Sequence, residues 1–174
     1  MKLIFSSLRI RKRVLSLLAI SNLFLITNAL KAEETLVIGA IPDQNPEKLN
    51  RLYKVLSSEL SEQLDIQVKY KPVINYAAAV TAFKTGNLDL VWFGGLTGVQ
   101  ARLQKKGSKV LVQRDIDAKF RSVFIANKKS LINKLNNMNE LKSLKGKRFT
   151  FGSESSTSGR LMPQYFLNKV GVEI

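Results

Sequence analysis

Residues 36–70 read LVIGAIPDQNPEKLNRLYKVLSSELSEQLDIQVKY, and this stretch decides the fold class. It opens with a short apolar run, Leu36–Ala40, and passes through a polar loop, Ile41–Pro46, that holds two prolines. Leu49, Leu52, Tyr53, Leu56, Leu60 and Leu64 then recur at spacings of three and four, which predicts a helix with one apolar face laid on a sheet. A second strand, Ile66–Tyr70, completes the unit. Strand, helix and strand in this order imply a crossover, and hence an α/β chain with a mainly parallel sheet.

Toward the C-terminus the pattern repeats. A compact helix is expected from Tyr76 to Lys84, built on Ala77, Ala78, Ala79, Val80 and Phe83 and stopped by Gly86 and Asn87. Leu88–Phe93, LDLVWF, is almost continuously apolar, as buried parallel strands are. A helix over Thr97–Lys105 should follow, then strands at Lys109–Gln113 and Arg121–Ala126. Residues 127–145 are polar, with a short helix expected at Asn139–Leu144, and a further strand, Arg148–Phe151, runs into Gly152 and the cluster Ser153–Gly159. Leu161, Tyr165, Phe166 and Val170 mark a last helix. The division that results is a first lobe at 33–120, then a hinge region and the incomplete start of a second lobe at 121–174. One strand and one helix cannot cover their own apolar faces, so a fragment is expected, or last elements that pack onto the first lobe.

Toward the N-terminus the character changes. Lys2, Arg9, Arg11, Lys12 and Arg13 precede the apolar run Val14–Ile26, which is short for a membrane span of about 20 residues and fits an export signal. Residues 1–32 read as that signal, with cleavage after Ala29 or Ala32; an uncleaved anchor is the alternative, and both put the rest of the chain outside the cytoplasm. Lys31 is the sixth basic residue of this segment, so its removal takes the net charge from +15 to +9. The remaining basic residues are dispersed, which argues against nucleic acid and suits an anionic ligand. Cysteine and histidine are both absent, excluding disulfides, a lipid-modified cysteine, thiol nucleophiles and histidine-based catalysis or metal binding.

In open parallel sheets ligands bind beyond the carboxyl ends of the strands. The loops there offer Asp43 and Gln44, then Phe93, Gly94 and Thr97, and finally the turn Ser155, Ser156, Thr157 and Ser158. Hydroxyls ahead of a helix N-terminus add rotatable donors to unpaired backbone N–H groups, a good match for an oxyanion. Ser158 as a plain helix cap explains one hydroxyl, not four in succession. Tyr76 begins a helix on the same side, where its hydroxyl either faces a ligand or packs. Asp43, Asp89 and Glu154 read as solvated or capping groups.

From Leu36 to Ile174 the chain resembles the phosphonate-binding-like periplasmic binding proteins. The likeness is carried by IGAIPDQNPEKLNRLYKVLSSEL, NYAAAVTAFKTGNLDLVWFGG and RFTFGSESSTSGRLMPQYFL. Within that family it is most similar to the branch labelled as selenate-binding. The resemblance implies a type II periplasmic-binding fold, with two α/β lobes, a hinge and a ligand closed between them. It implies that Ser156, Thr157 and Ser158 grip the anion and that Tyr76 adds a hydroxyl from the first lobe. It further implies an exported monomer without a cofactor, serving the permease of an ABC transporter in the inner membrane. Where many phosphonate binders have Gly-Pro after the third strand this chain has Gly94-Gly95, which shifts the expected ligand toward a smaller oxyanion such as selenate or phosphite. Relatives continue beyond Ile174, so weak or no binding is expected of a chain that ends there. An exported sensor of the same fold and a phosphoester hydrolase are the competing functions; the hydrolase lacks a His or Cys partner for a serine.

Overall fold

The computed structural model describes residues 34–173. The expected export signal and its cleavage positions lie outside them. Among the described residues no helix is long and apolar enough to cross a membrane.

Strands β1 (Thr35–Ala40), β2 (Gln67–Tyr70) and β3 (Leu90–Trp92) form one parallel sheet in the order β2-β1-β3. Thr35 lies opposite Gln67, and Ile38 lies between Tyr70 and Leu90. Helices α1 (Pro46–Leu64), α2 (Tyr76–Lys84) and α3 (Gly95–Gln104) follow the three strands in turn. Because β2 and β3 flank β1 on opposite sides, right-handed crossovers place α1 on one face and α2 on the other. Side-chain amides start two of these helices: the Asn45 oxygen accepts from the Lys48 N–H at 2.8 Å and the Asn75 oxygen from the Ala78 N–H at 2.8 Å. Pro46 at the first helical position reinforces the start of α1.

Ile38, Ala40, Ile41, Leu49, Val68, Ala79, Val80, Leu88 and Ala101 form the buried core around the sheet. Leu88 is fully buried because residue 39 is glycine: a Cβ there would stand 2.6 Å from Leu88 Cδ1. Asp89 serves the framework, its carboxylate accepting the Val37 N–H at 2.8 Å.

The apolar stripe of α1 is only partly used. Leu49 is buried and Tyr53 and Leu60 half-buried, whereas Leu52, Leu56 and Leu64 remain exposed. Packing against the narrow sheet runs through Leu49, Tyr53, Ser57 and Leu60, and the stripe is wider than the surface it meets. The strands expected at Lys109–Gln113, Arg121–Ala126 and Arg148–Phe151 do not form. A strand exists through its ladder, and these segments find no partner among the described residues; Leu111 is 74% exposed. Helix α3 starts two residues earlier than expected, at Gly95, because Thr97 folds back onto Gly94. The short helix at 139–144 is a tight 3-10 turn, Met138–Leu144, and the last helix opens with a wide π turn, Thr157–Leu161, before α4 (Met162–Lys169). Leu141, Leu144, Leu167 and Val172 bury a second, smaller cluster, edged by Phe124, Phe149, Phe151 and Phe166.

Candidate functional site

At the carboxyl side of the sheet, the residues after β3 turn directly into α3. The Gly94 N–H donates to Thr97 Oγ1 at 3.0 Å, and the Thr97 hydroxyl donates to the Gly94 carbonyl at 3.2 Å. Thr97 is fully buried, so its hydroxyl shapes the Gly94–Gly95 turn from beneath. Its hydroxyl accepts from and donates to Gly94 inside the protein. Phe93 packs edge-on against Phe83 with centroids 5.6 Å apart, on the α2 side of the sheet. Trp92 points to the α1 side, where the Arg114 guanidinium lies 5.1 Å from its ring centroid. Adjacent residues of a strand face opposite ways, so only Phe93 borders the serine turn side.

The serine turn is held by its own backbone. Gly152 N–H donates to the Gly159 carbonyl at 2.8 Å, and Ser156 Oγ accepts from the Gly159 N–H at 3.0 Å. A Cβ on Gly152 would sit 3.3 Å from Gly159 Cα, a tight contact that two glycines relieve. The first intrahelical bonds of the turn come from Arg160 and Leu161 N–H to the Ser156 carbonyl. Thr157 and Ser158 N–H precede them, in the positions where a helix start offers donors. Ser156 thus supplies the cap that the sequence offered to Ser158.

This turn bonds to two other segments and lies beside a third. Ser156 is near enough to the Tyr76 hydroxyl, at the start of α2, to oppose the rise of its pKa. Thr157 Oγ1 accepts the Leu96 N–H at 2.7 Å, at the start of α3. The Ser158 carbonyl accepts from Ser122 Oγ at 2.8 Å, on the segment that crosses between the two clusters. Gly95 gives the second contact room, since a Cβ there would lie 3.2 Å from Thr157 Oγ1 and press on that side chain. Two helix N-termini therefore face each other, with Tyr76, Ser155, Ser156, Thr157 and Ser158 half-buried around them.

Electrostatics favour donors here. Burial and then the Asp43 carboxylate push the Tyr76 phenol above its ordinary range, against the opposing pull of Ser156. The phenol keeps its proton at neutral pH. Arg160 is drawn over the Phe151 ring, 4.1 Å from its centroid, at the edge of the turn. Among the described residues no group of three or more carboxylate, His or Cys side chains is placed to hold a metal ion. Neither the Leu96 N–H nor Ser122 is legible in the local pattern, because their partners lie 61 and 36 residues away.

Residues 38–174 match a family described as the periplasmic substrate-binding protein of phosphonate ABC transporters. A protein described as a probable phosphite-binding protein of an ABC transporter, from Prochlorococcus marinus, is 62% identical over 81% of this chain and 48% of its own length. The phosphonates-binding periplasmic protein of Escherichia coli is 27% identical over 87% of the chain and 45% of its own length. The chain thus spans about half the length of the curated relatives it matches. A solved structure of the Prochlorococcus protein in complex with methylphosphonate superposes with a TM-score of 0.80 at 62% identity, over 82% of this chain and 52% of that one. A binding-protein component of a phosphonate transporter from Pseudomonas aeruginosa shares the fold, with a TM-score of 0.62 at 23% identity over 81% of this chain and 47% of that one.

Proposed function

The chain belongs to the family of periplasmic substrate-binding proteins of phosphonate ABC transporters, and from that premise we propose that it captures a small phosphorus oxyanion, phosphite or a short phosphonate, in the periplasm and delivers it to an ABC permease. Members of this family bind substrates and are not enzymes. The observation that carries the reading is the 2.7 Å hydrogen bond from Leu96 N–H to Thr157 Oγ1, which sets the N-termini of α3 and of the serine turn against each other. An oxyanion there gains backbone N–H donors and the positive ends of helix dipoles without needing a buried cation. Accepting from Leu96 leaves the Thr157 hydroxyl its own proton to donate, and Tyr76 retains one as well. Thr97, Gly94 and Phe93 act one layer back and fix the turn that presents Leu96.

Selenate, expected from the resemblance, finds no support in the relatives named above, which are described by phosphite and phosphonate. Calorimetric titration with phosphite, methylphosphonate, phosphate, sulfate and selenate tests the proposal. Phosphite or methylphosphonate should bind most tightly. Tyr76→Phe and Thr157→Val should each weaken that binding by about tenfold or more, as expected for the loss of a hydrogen bond to a charged group. Selenate or sulfate binding as tightly as the phosphorus anions, or variants that bind like the parent chain, would overturn it.

A further inference from the structure

Pro163 leaves two carbonyls of the serine turn without their helical donor, and both are satisfied from outside the helix. In an α-helical register the N–H of residue 163 would serve the Gly159 carbonyl; in the π register that this turn adopts it would serve the Ser158 carbonyl. Proline has no N–H to give. The Met162 N–H goes to the Thr157 carbonyl, five residues back, and does not replace it. Instead the Gly152 N–H donates to the Gly159 carbonyl at 2.8 Å, and Ser122 Oγ donates to the Ser158 carbonyl at 2.8 Å. The Ser158–Gly159 peptide group is thereby pinned at both ends, since its N–H, that of Gly159, donates to Ser156 Oγ at 3.0 Å. Ser122 lies 36 residues before the turn. It stands between Arg114, whose guanidinium covers Trp92 at the sheet, and Phe124, which edges the second cluster.

We propose that Ser122 is a positioning residue for anion binding: its hydroxyl holds the Ser158–Gly159 peptide group in place and so ties the donors of the serine turn to the segment that crosses between the two clusters. The inference rests on the reading of this turn as the oxyanion site. Glycine at 159 offers little resistance to rotation of that peptide group. Once released, its N–H no longer orients Ser156 Oγ, and its carbonyl is free to turn a negative end toward the anion. Donors that are already fixed bind without a further ordering cost, which is what the Ser122 hydroxyl provides. Ser122 is exposed, so its replacement disturbs no core packing. The competing role is narrower: Ser122 satisfies a carbonyl that Pro163 cannot serve, and contributes to stability alone.

The experiment titrates the full chain and its Ser122→Ala and Ser122→Thr variants with methylphosphonate and with phosphite by calorimetry. It also records the Ser158 carbonyl and Gly159 amide shifts of each without ligand. Ser122→Ala should weaken both anions by about threefold to tenfold, as for the loss of one neutral hydrogen bond, and should move both shifts in the ligand-free chain. Ser122→Thr keeps the hydroxyl and should restore affinity and shifts together. Chemical denaturation of the same variants separates the competing role. A Ser122→Ala variant that loses stability but binds like the parent chain would overturn the proposal and leave Ser122 as a structural contact. Equal weakening by both variants would also overturn it, by tracing the effect to something other than the hydroxyl. If the parent chain binds neither anion, the oxyanion reading falls and this proposal with it; parent binding with an unaffected Ser122→Ala variant overturns this proposal alone.

Discussion

Two segments of nearly equal apolar character meet different ends in this molecule. LVIGA at Leu36–Ala40 lies mid-sheet with a neighbour on each side, and KVLVQ at Lys109–Gln113 forms no strand and leaves Val110, Leu111 and Val112 exposed. Local propensity is similar in the two; what separates them is the availability of a ladder partner and a helix to cover the face. Residues 35–104 form a closed system of strands and covering helices. Residues 105–173 are held by tight turns, one aromatic-edged cluster and three single hydrogen bonds or ring contacts that reach back: Lys105 to the Phe83 carbonyl, Arg114 over Trp92, and Thr157 of the serine turn onto α3.

The sharpest way to break that contrast is to truncate one side chain in each half of the described chain. Leu88→Ala empties a fully buried position beneath Gly39 and should cost about 2–5 kcal/mol of stability, read by chemical denaturation. Val112→Ala, at a site 69% exposed, should change stability by no more than about 0.5 kcal/mol. A large loss from the second variant would mean that Lys109–Gln113 is packed after all.

How much of this was legible in the sequence follows the same division. The periodicities of 36–70 and the apolar run at Leu88–Phe93 led to the parallel sheet and its helices, because there the pattern and the tertiary partner agree. Apolar β-branched runs at 109–113 and 121–126 led to strands that are not there, since a one-dimensional pattern states which side chains prefer a sheet and is silent on whether an edge is within reach. The serine turn was visible as an unusual density of hydroxyls between two glycines. Which hydroxyl does what was not: Ser156 caps the turn, Thr157 bonds to α3, and Thr97 is consumed beneath the site. The Ser156 and Thr97 bonds close within three residues, among several hydroxyls that could each have made them, while the Thr157 bond spans 61 residues, which no local rule encodes.

A smaller effect is expected within the ordered half. Ser57 is the one described side chain with a buried polar atom and no partner, placed where α1 comes close to β2. Ser57→Ala removes a hydroxyl that lost its water on folding without gaining a bond, and should stabilise the chain by about 1 kcal/mol. A destabilised Ser57→Ala variant would reveal a hydrogen bond that the hydroxyl makes in solution.

The smallest effect lies in the less regular half. The Arg114 guanidinium donates to Asp117 and pulls that half-buried carboxyl below its ordinary range, and the same guanidinium covers Trp92. With the folded value depressed, the pairing is intact above the usual aspartate range and is lost as pH falls through the lowered value. Emission from Trp92, the single tryptophan of the chain, should step in that acid window. Asp117→Asn should remove the step; a step that persists in the variant would place its origin elsewhere.

The central claim is that two opposed helix starts receive a phosphorus oxyanion. Amide chemical shifts on titration with phosphite and with methylphosphonate test it most directly, because they report where a ligand lands even when it binds weakly. The account predicts that Thr157, Ser158 and Leu96 N–H shift together and saturate, with Lys69 and its neighbours on the β2 edge unmoved. Saturable shifts centred on another surface, or none at these three amides at high ligand concentration, would contradict it.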